Sequence, residues 1–154
     1  ADFQQKVRLG LAYAYFNIKE FTKANVLFKT YADKMLASPE SKGNPNILLR
    51  LADTYLVSKN YDDALVYYTK AIDQIKTDKD YAIYQRGLTL SYLNKETEAK
   101  QAFRKIRTDY PNSKYLDDAI YQENLISFNN NKYRVVLKNG VCSDVISAVA
   151  PTNH

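Results

Sequence analysis

The residues that most often perform chemistry in proteins are few in this chain and poorly placed for it. The single histidine is His154, the last of 154 residues, and the single cysteine is Cys142. Chain ends are normally poorly ordered and cannot hold a proton-transfer geometry, so a Ser–His or Cys–His mechanism has no base. A lone cysteine also excludes an intramolecular disulfide, and we interpret Cys142 as an inert core thiol.

Metal and nucleotide sites find no better support in the sequence. The acidic pairs at 62–63 and 117–118 lack the ligand spacing of zinc or calcium sites and are typical of helix N-termini. The glycines stand alone, so no glycine-rich phosphate loop is present. They are Gly10, Gly43, Gly87 and Gly140. The sequence therefore predicts that the protein is not an enzyme and uses no cofactor, no metal and no small-molecule substrate.

Composition places the chain among ordinary globular domains. Hydrophobic residues make up 45% and charged residues 25%, and the net charge of +5 is spread without a run of five like charges. The sequence has neither a long apolar run nor a leader segment, so we expect a soluble chain without a membrane span. Four glycines and four prolines leave little room for loops, which favours long helices.

Three units of the chain carry small residues at one spacing. Ala24, Ala64 and Ala99 each follow another small residue by twelve positions and precede an aromatic ring by four. The earlier small residues are Ala12, Ala52 and Gly87, and the rings are Phe28, Tyr68 and Phe103. Two helices can cross at about 8 Å only where their side chains are small, and the rings then fill the volume around the crossing. Each unit is therefore predicted to be a helical hairpin.

Apolar residues spaced by three and four positions, and the breaks between them, predict the helix bounds. Helices are expected near 2–17, 20–37, 45–58, 61–76, 80–93, 96–109 and 114–129, with a weaker one from about 131. Pro45 fits the first turn of the third helix, and Asn112 or Ser113 is available to cap the seventh. The whole chain, 1–154, is predicted to be one domain with hairpins at about 2–37, 45–76, 80–110 and 114–150, the last of them degenerate.

This pattern resembles the tetratricopeptide repeat (TPR) family, whose consensus has the same order of small residue, aromatic, alanine and aromatic. Pro111 closes the third unit as the family's proline does, and the resemblance covers about 4–111. It implies an all-α fold, a right-handed α-α superhelix (solenoid) of three to four TPR-like hairpins. One departure is Arg86, which replaces the leucine present as Leu11 and Leu51 and predicts looser packing in the third hairpin.

A second resemblance concerns the end of the third unit. The segment 110–115, together with Asp118 and Ala119, looks like the variant found in bacterial cell-envelope TPR proteins. This likeness implies the periplasm or cell envelope as the location, and a cytoplasmic location stays open. A further departure is the spacing of 40 residues from Ala24 to Ala64, against 35 from Ala64 to Ala99 and about 34 in the family.

In the TPR family, the first helix of each hairpin lines the concave surface. These helices carry an aromatic-rich stripe here, and tyrosine is well suited to binding sites because it offers large contact area at little entropic cost. The resemblance thus implies a scaffold that binds a protein or peptide partner in this groove, within a larger assembly. The predicted contact residues are Leu9, Tyr13, Phe16, Leu49, Arg50, Asp53, Tyr81, Tyr84, Tyr92, Tyr121 and Phe128.

Each of these residues has a plainer interpretation. Any single ring of the stripe could simply pack neighbouring hairpins. Arg50 could hold an acidic group of a partner through its guanidinium, or it could be a solvated surface arginine. Chaperone-binding TPR proteins hold a terminal carboxylate with a clamp of two lysines, two asparagines and one arginine. Leu9, Tyr13, Arg50, Tyr81 and Gln85 do not reproduce that clamp.

Two other functions stay open at this stage. The segment 135–150 is apolar, whereas the last element of a solenoid normally presents a polar outer face. We therefore expect this segment to pack on something, and a structural or oligomerisation module that docks through it is the first alternative. The second is a weak nucleic-acid binder, suggested by a pI of about 9.1, although no basic stripe concentrates the charge.

Overall fold

The fold is built only from helices in the part of the chain that the structure describes. A computed structural model describes residues 2–38, 40 and 43–139, and these contain seven helices and no strand. The helices are α1 (Asp2–Asn17), α2 (Phe21–Ala37), α3 (Asn46–Val57), α4 (Tyr61–Gln74), α5 (Lys79–Tyr92), α6 (Glu96–Asp109) and α7 (Leu116–Asn139). Each helix packs against the next one along the chain. The result is an all-α helical-repeat solenoid with hairpins α1–α2, α3–α4 and α5–α6, followed by α7.

The small residues lie at the helix crossings, as the spacing predicted. The alanines of the repeated pattern are completely buried. They are Ala12, Ala24, Ala52, Ala64 and Ala99. At Gly87 an added Cβ would lie only 2.7 Å from a ring carbon of Phe103, so the third crossing has no room even for a methyl group. The predicted register of the three hairpins is therefore confirmed.

A left-handed residue ends the first helix of every hairpin. Lys19, Lys59 and Asn94 occupy the same repeat position and have φ of 64°, 60° and 58°. The amide that follows each of them donates to the carbonyl five residues earlier at 2.9 Å, as from Asn60 to Tyr55. This is the Schellman pattern of helix ends, which uses otherwise unpaired carbonyls and turns the chain into the second helix.

Two boundaries differ from the sequence-based expectation. α7 continues to Asn139, so the predicted end near 129 and new start near 131 are wrong. The reason is that 129–132 contains no Gly or Pro, and asparagine only mildly disfavours helix. Pro45 lies just before α3 rather than in its first turn, and its carbonyl accepts the amide of Leu48. Ser113 does help to start α7, because its Oγ accepts the amide of Tyr115 at 3.1 Å.

Several sequence-based expectations concern residues 140–154, which lie outside the described residues. They include the inert Cys142, the terminal His154, and most of the apolar segment expected to pack on a surface. No helix among the described residues is long and apolar enough to cross a membrane. Within the same residues, no group of three or more His, Cys, Asp or Glu side chains is placed to hold a metal ion.

Candidate partner-binding site

Arg50 links the first helices of three successive hairpins. It lies on α3, and its guanidinium carbon is 5.8 Å from the ring centre of Phe16 on α1 and 5.7 Å from that of Tyr81 on α5. Both distances fall within the range of cation–π contacts. The Arg50 side chain is 30% exposed, so it is enclosed on its flanks and still reaches the surface. We call Phe16, Arg50, Asp53 and Tyr81 the Arg50 cluster.

Asp53 is the buried hydrogen-bond acceptor that connects Arg50 and Tyr81 within this cluster. One of its oxygens accepts a 2.7 Å bond from Arg50 Nη1, and the other accepts the hydroxyls of Tyr68 at 2.6 Å and Tyr81 at 3.0 Å. Gln85 Nε2 donates to the Tyr81 hydroxyl in turn at 3.1 Å. Asp53 is only 5% exposed, so its charge is masked from solvent while the arginine it orients is not.

Burial dominates the electrostatics of this network. It raises the pKa of the Asp53 carboxyl, and the hydrogen bond from Tyr68 and the charge of Arg50 oppose that rise. The pKa values of Tyr68 and Tyr81 are also raised, first by burial and then by the carboxylate they bond. These phenols therefore stay protonated and act as hydrogen-bond donors to Asp53 rather than as acids or bases.

Tyrosine rings continue the surface from Arg50 toward the C-terminal end of the stack. Tyr115, just before α7, stacks on Tyr84 with ring centres 5.4 Å apart, and it also contacts Tyr81 at 5.6 Å. Burial raises the pKa of Tyr84, and the charge of Asp118 adds to the rise. The Lys114 ammonium lies 5.3 Å from the ring centre of Tyr115. The result is a row of tyrosine rings that lies between Arg50 and Lys114.

On the other side, α1 contributes Tyr13 and Phe16. Tyr13 packs edge-on against Phe28 with ring centres 5.1 Å apart. Burial raises the pKa of the Tyr13 phenol, and the Arg50 charge acts against this rise. Phe28 also contacts Phe16, with ring centres 6.2 Å apart, so Tyr13 lies close to the Arg50 cluster. Leu9, two residues before Leu11 on α1, instead lines a cavity of about 200 Å³ with Leu27 and Tyr31 of α2.

The described contacts do not join the remaining predicted residues to the Arg50 cluster. Leu49 is 1% exposed and has no surface to offer a partner. Tyr92 stacks on Tyr61 at 4.9 Å, where the end of α5 meets the start of α4. Tyr121 and Phe128 are on α7, 63% and 62% exposed. Of the eleven predicted residues, the described contacts bring together Phe16, Arg50, Asp53, Tyr81 and Tyr84.

Some residues of the site could not be picked from the sequence. Tyr68 belongs to the packing pattern as an aromatic, and only the fold shows its hydroxyl on Asp53, fifteen residues away in the chain. Tyr115 lies in a loop, outside the helical stripe. The i,i+3 spacing of Arg50 and Asp53 was the one signal in the sequence for their pairing.

A second charged network, which the sequence reasoning missed, joins α6 to α7. Glu123 is 6% exposed and accepts from Arg104 at 2.5 Å, with Arg107 at 3.4 Å from its other oxygen. Two arginines around one buried carboxylate hold α7 against α6. The network thus connects α6 to α7, the helix that follows Tyr115.

Arg86 on α5 stands at the position where the first two hairpins have leucine, and it makes a hydrogen bond that a leucine cannot make. Arg86 Nε donates to Thr69 of α4 at 2.9 Å, whereas the equivalent Leu51 is completely buried. A cavity of about 370 Å³ opens beside Arg86, between α4, α5 and α6, and includes Ile72 and Ala102 in its lining. The α5–α6 crossing itself is tight at Gly87, so the looser packing that Arg86 predicted for the third hairpin is not seen there.

The fold and its sites define a helical-repeat protein that presents side chains along a row of first helices. Residues 45–77 and residues 81–113 each match a sequence profile described as tetratricopeptide repeat. These matches support the tetratricopeptide repeat family, whose members typically act as non-enzymatic scaffolds for protein–protein interaction. A comparison with curated proteins found no match.

Proposed function

We propose that this protein binds a protein or peptide partner along the surface formed by the Arg50 cluster, Tyr84 and Tyr115. The observation that carries the proposal is the position of Arg50 between rings from two neighbouring hairpins. A long side chain normally loses much rotamer entropy when it binds, but here that loss has already occurred on folding. A pre-oriented arginine flanked by aromatic rings has the composition of a binding hot spot.

The expected anchor of the partner is a carboxylate. Among the described contacts, Arg50 makes one hydrogen bond, to Asp53, and a guanidinium fork has further donors for a second acceptor. Tyr13, Tyr81 and Tyr84 add ring area around this charge, suited to an apolar or aromatic neighbour of the acidic residue. The net charge of +5 favours approach of an acidic segment.

The wider setting of this interaction is part of the same proposal. The TPR resemblance implies that the first helices line a concave groove, and an extended peptide or a helix would then lie across α1, α3 and α5. The likeness of 110–115 to bacterial cell-envelope TPR proteins adds the proposal that the partner belongs to an envelope assembly.

Selection of short random peptides displayed on phage tests the proposal directly. The full chain is immobilised, and the selected peptides are expected to be enriched in Asp and Glu or to end in a required carboxylate. Versions of the selected peptides with an amidated C-terminus distinguish a side-chain carboxylate from a terminal one, because amidation removes only the terminal carboxylate. Arg50→Lys keeps the charge but loses the planar fork, so we expect about a tenfold weaker Kd for selected peptides.

Arg86→Lys is the matched control for that change. Arg86 is also a half-buried arginine on a first helix with a side-chain hydrogen bond, but it bonds Thr69 on α4 and makes no contact with the Arg50 cluster in the described contacts. We expect its peptide affinity to equal that of the wild type. Equal affinities for all three proteins, with thermal melting unchanged, would refute the role given to Arg50.

A further inference from the structure

The cavity of about 370 Å³ between α4, α5 and α6 has an apolar floor. Ile83 and Ala102 line it and are 3% and 6% exposed, and the half-buried Ile72 and Arg86 lie beside them. We call this space the Ala102 cavity. It includes no residue of the Arg50 cluster, so binding in it is independent of peptide binding at Arg50.

An aromatic ring occupies the equivalent place one hairpin earlier in the chain. Ala102 of α6 stands where α4 has Tyr67, at the repeat spacing of 35 residues. Tyr67 is 7% exposed and stacks on Tyr55 of α3 with ring centres 5.7 Å apart. Burial raises the pKa of the Tyr67 phenol, while the charge of Lys29 on α2 and a hydrogen bond with that lysine oppose the rise. The contacts of Tyr67 thus reach both α2 and α3.

Other residues around the two places also correspond. Thr69 of α4 lines the Ala102 cavity, and the 40-residue spacing makes it the equivalent of Lys29 on α2. The Lys70 ammonium lies 5.4 Å from the ring centre of Tyr67, and its equivalent Lys105 lines the cavity. The same place between hairpins is therefore filled by a phenol ring in one case. In the other it is open, because α6 has only a methyl group there.

We propose that the Ala102 cavity binds the side chain of a tyrosine from a partner protein. The space is sufficient for the ring, because a dry cavity of about 150 Å³ already holds benzene. Ile72 and Ile83 offer apolar surface to the ring. Arg86 can donate to the phenol oxygen, because its one described hydrogen bond, to Thr69, uses Nε and leaves the other guanidinium donors available.

Charge around the cavity favours a neutral ring over an anionic ligand. Asp73 and Glu98 are exposed and line the cavity, and neither has an ion-pair or hydrogen-bond partner among the described contacts. A carboxylate would meet these two negative charges as well as Arg86. A phenol is uncharged at neutral pH and still accepts a hydrogen bond, so tyrosine suits the site better than an acidic residue.

Nuclear magnetic resonance of the isotopically labelled full chain tests the proposal with 4-methylphenol, which is the tyrosine side chain without its backbone. The ring is expected to shift the methyl signals of Ile72, Ile83 and Ala102, with a Kd of about 1 mM for so small a ligand. Toluene lacks the hydroxyl and should bind about tenfold more weakly. N-acetyltyrosinamide should bind at least as tightly as 4-methylphenol, because a partner presents the ring on a peptide backbone.

Two substitutions separate the ring from its hydrogen bond. Ala102→Tyr should abolish binding of 4-methylphenol, because the new side chain fills the cavity as Tyr67 fills its own place. Thr97→Tyr adds the same ring at an exposed position of α6 outside the cavity lining, and it should leave binding unchanged. Arg86→Leu restores the leucine of the first two hairpins and removes the donor, so 4-methylphenol should then bind as weakly as toluene.

Three results would overturn the proposal. The first is a titration in which the methyl signals of the cavity do not move. The second is toluene binding as tightly as 4-methylphenol to the wild type, since the site would then not recognise a phenol. The third is binding of 4-methylphenol but not of N-acetyltyrosinamide, because the ligand would then be a free small molecule and not a partner's side chain. Arg86→Leu keeps the test decisive even if Ala102→Tyr fails to fold.

Discussion

Replacing Ala64 with leucine is expected to lower the free energy of unfolding by about 1–3 kcal/mol. Ala64 is completely buried where α4 crosses α3, next to the fully buried Tyr68 and Ala52 of the repeat pattern. A larger side chain must push the two helices apart or force neighbouring rings from their preferred rotamers, because protein cores are close-packed. Chemical denaturation monitored by circular dichroism measures the effect.

Val66→Leu is the matched control for this substitution. Val66 lies on the same helix and is 46% exposed, so one additional methylene there should change stability by less than about 0.5 kcal/mol. If the two variants unfold at the same denaturant concentration, the crossing has been assigned to the wrong residue.

Asp53→Ala is expected to cost about 3 kcal/mol of folding stability, a loss comparable to breaking a buried ion pair. The change removes the acceptor for the Tyr68 and Tyr81 hydroxyls and the partner of Arg50. Arg50 can recover part of the loss by turning to water, since it is 30% exposed, whereas the Tyr68 hydroxyl cannot. Asp53→Asn, which keeps one acceptor oxygen, should cost less. Equal stability of all three proteins would contradict the network.

The stability difference between the wild type and Asp53→Asn should depend on pH, and the direction of the Asp53 pKa shift gives the sign of this dependence. Burial raises the pKa of Asp53 in the folded protein, so the folded state binds the proton more tightly than the unfolded chain does. The stabilisation that comes from this tighter proton binding is fully present below the pKa that Asp53 has in the unfolded chain. It is lost as the pH rises through the higher pKa that Asp53 has in the folded protein. The wild type should therefore gain stability relative to Asp53→Asn on acidification. A relative loss would mean that the ion pair with Arg50 outweighs burial.

The sequence predicted the hairpins because their crossings depend on local features. A small residue at a fixed repeat position and an aromatic at a constant offset leave a pattern that is visible without coordinates, and Ala24, Ala64 and Ala99 are all buried as expected. The left-handed turns were marked only as breaks, because Lys19 and Lys59 lack the glycine that usually signals such a φ. The end of α7 was misplaced because an asparagine run was given the weight of a true helix breaker.

The site was less predictable than the fold. Helical periodicity identified the side of each first helix, but it could not distinguish rings that pack from rings that reach the surface. Leu49 and Tyr121 hold the same repeat position, yet one is buried and the other is 63% exposed, because the described chain covers α3 and not α7 on that side. The Arg50 cluster depends on which hairpins are neighbours, as the 28-residue separation of Asp53 and Tyr81 illustrates.

Nuclear magnetic resonance would test the central claim most directly, by mapping where a selected peptide binds on the isotopically labelled full chain. The proposed function predicts that the largest amide shift changes on titration fall around Phe16, Arg50 and Tyr81, on three different first helices. Changes confined to α7, around Tyr121 and Leu125, would contradict it and move the binding surface away from Arg50.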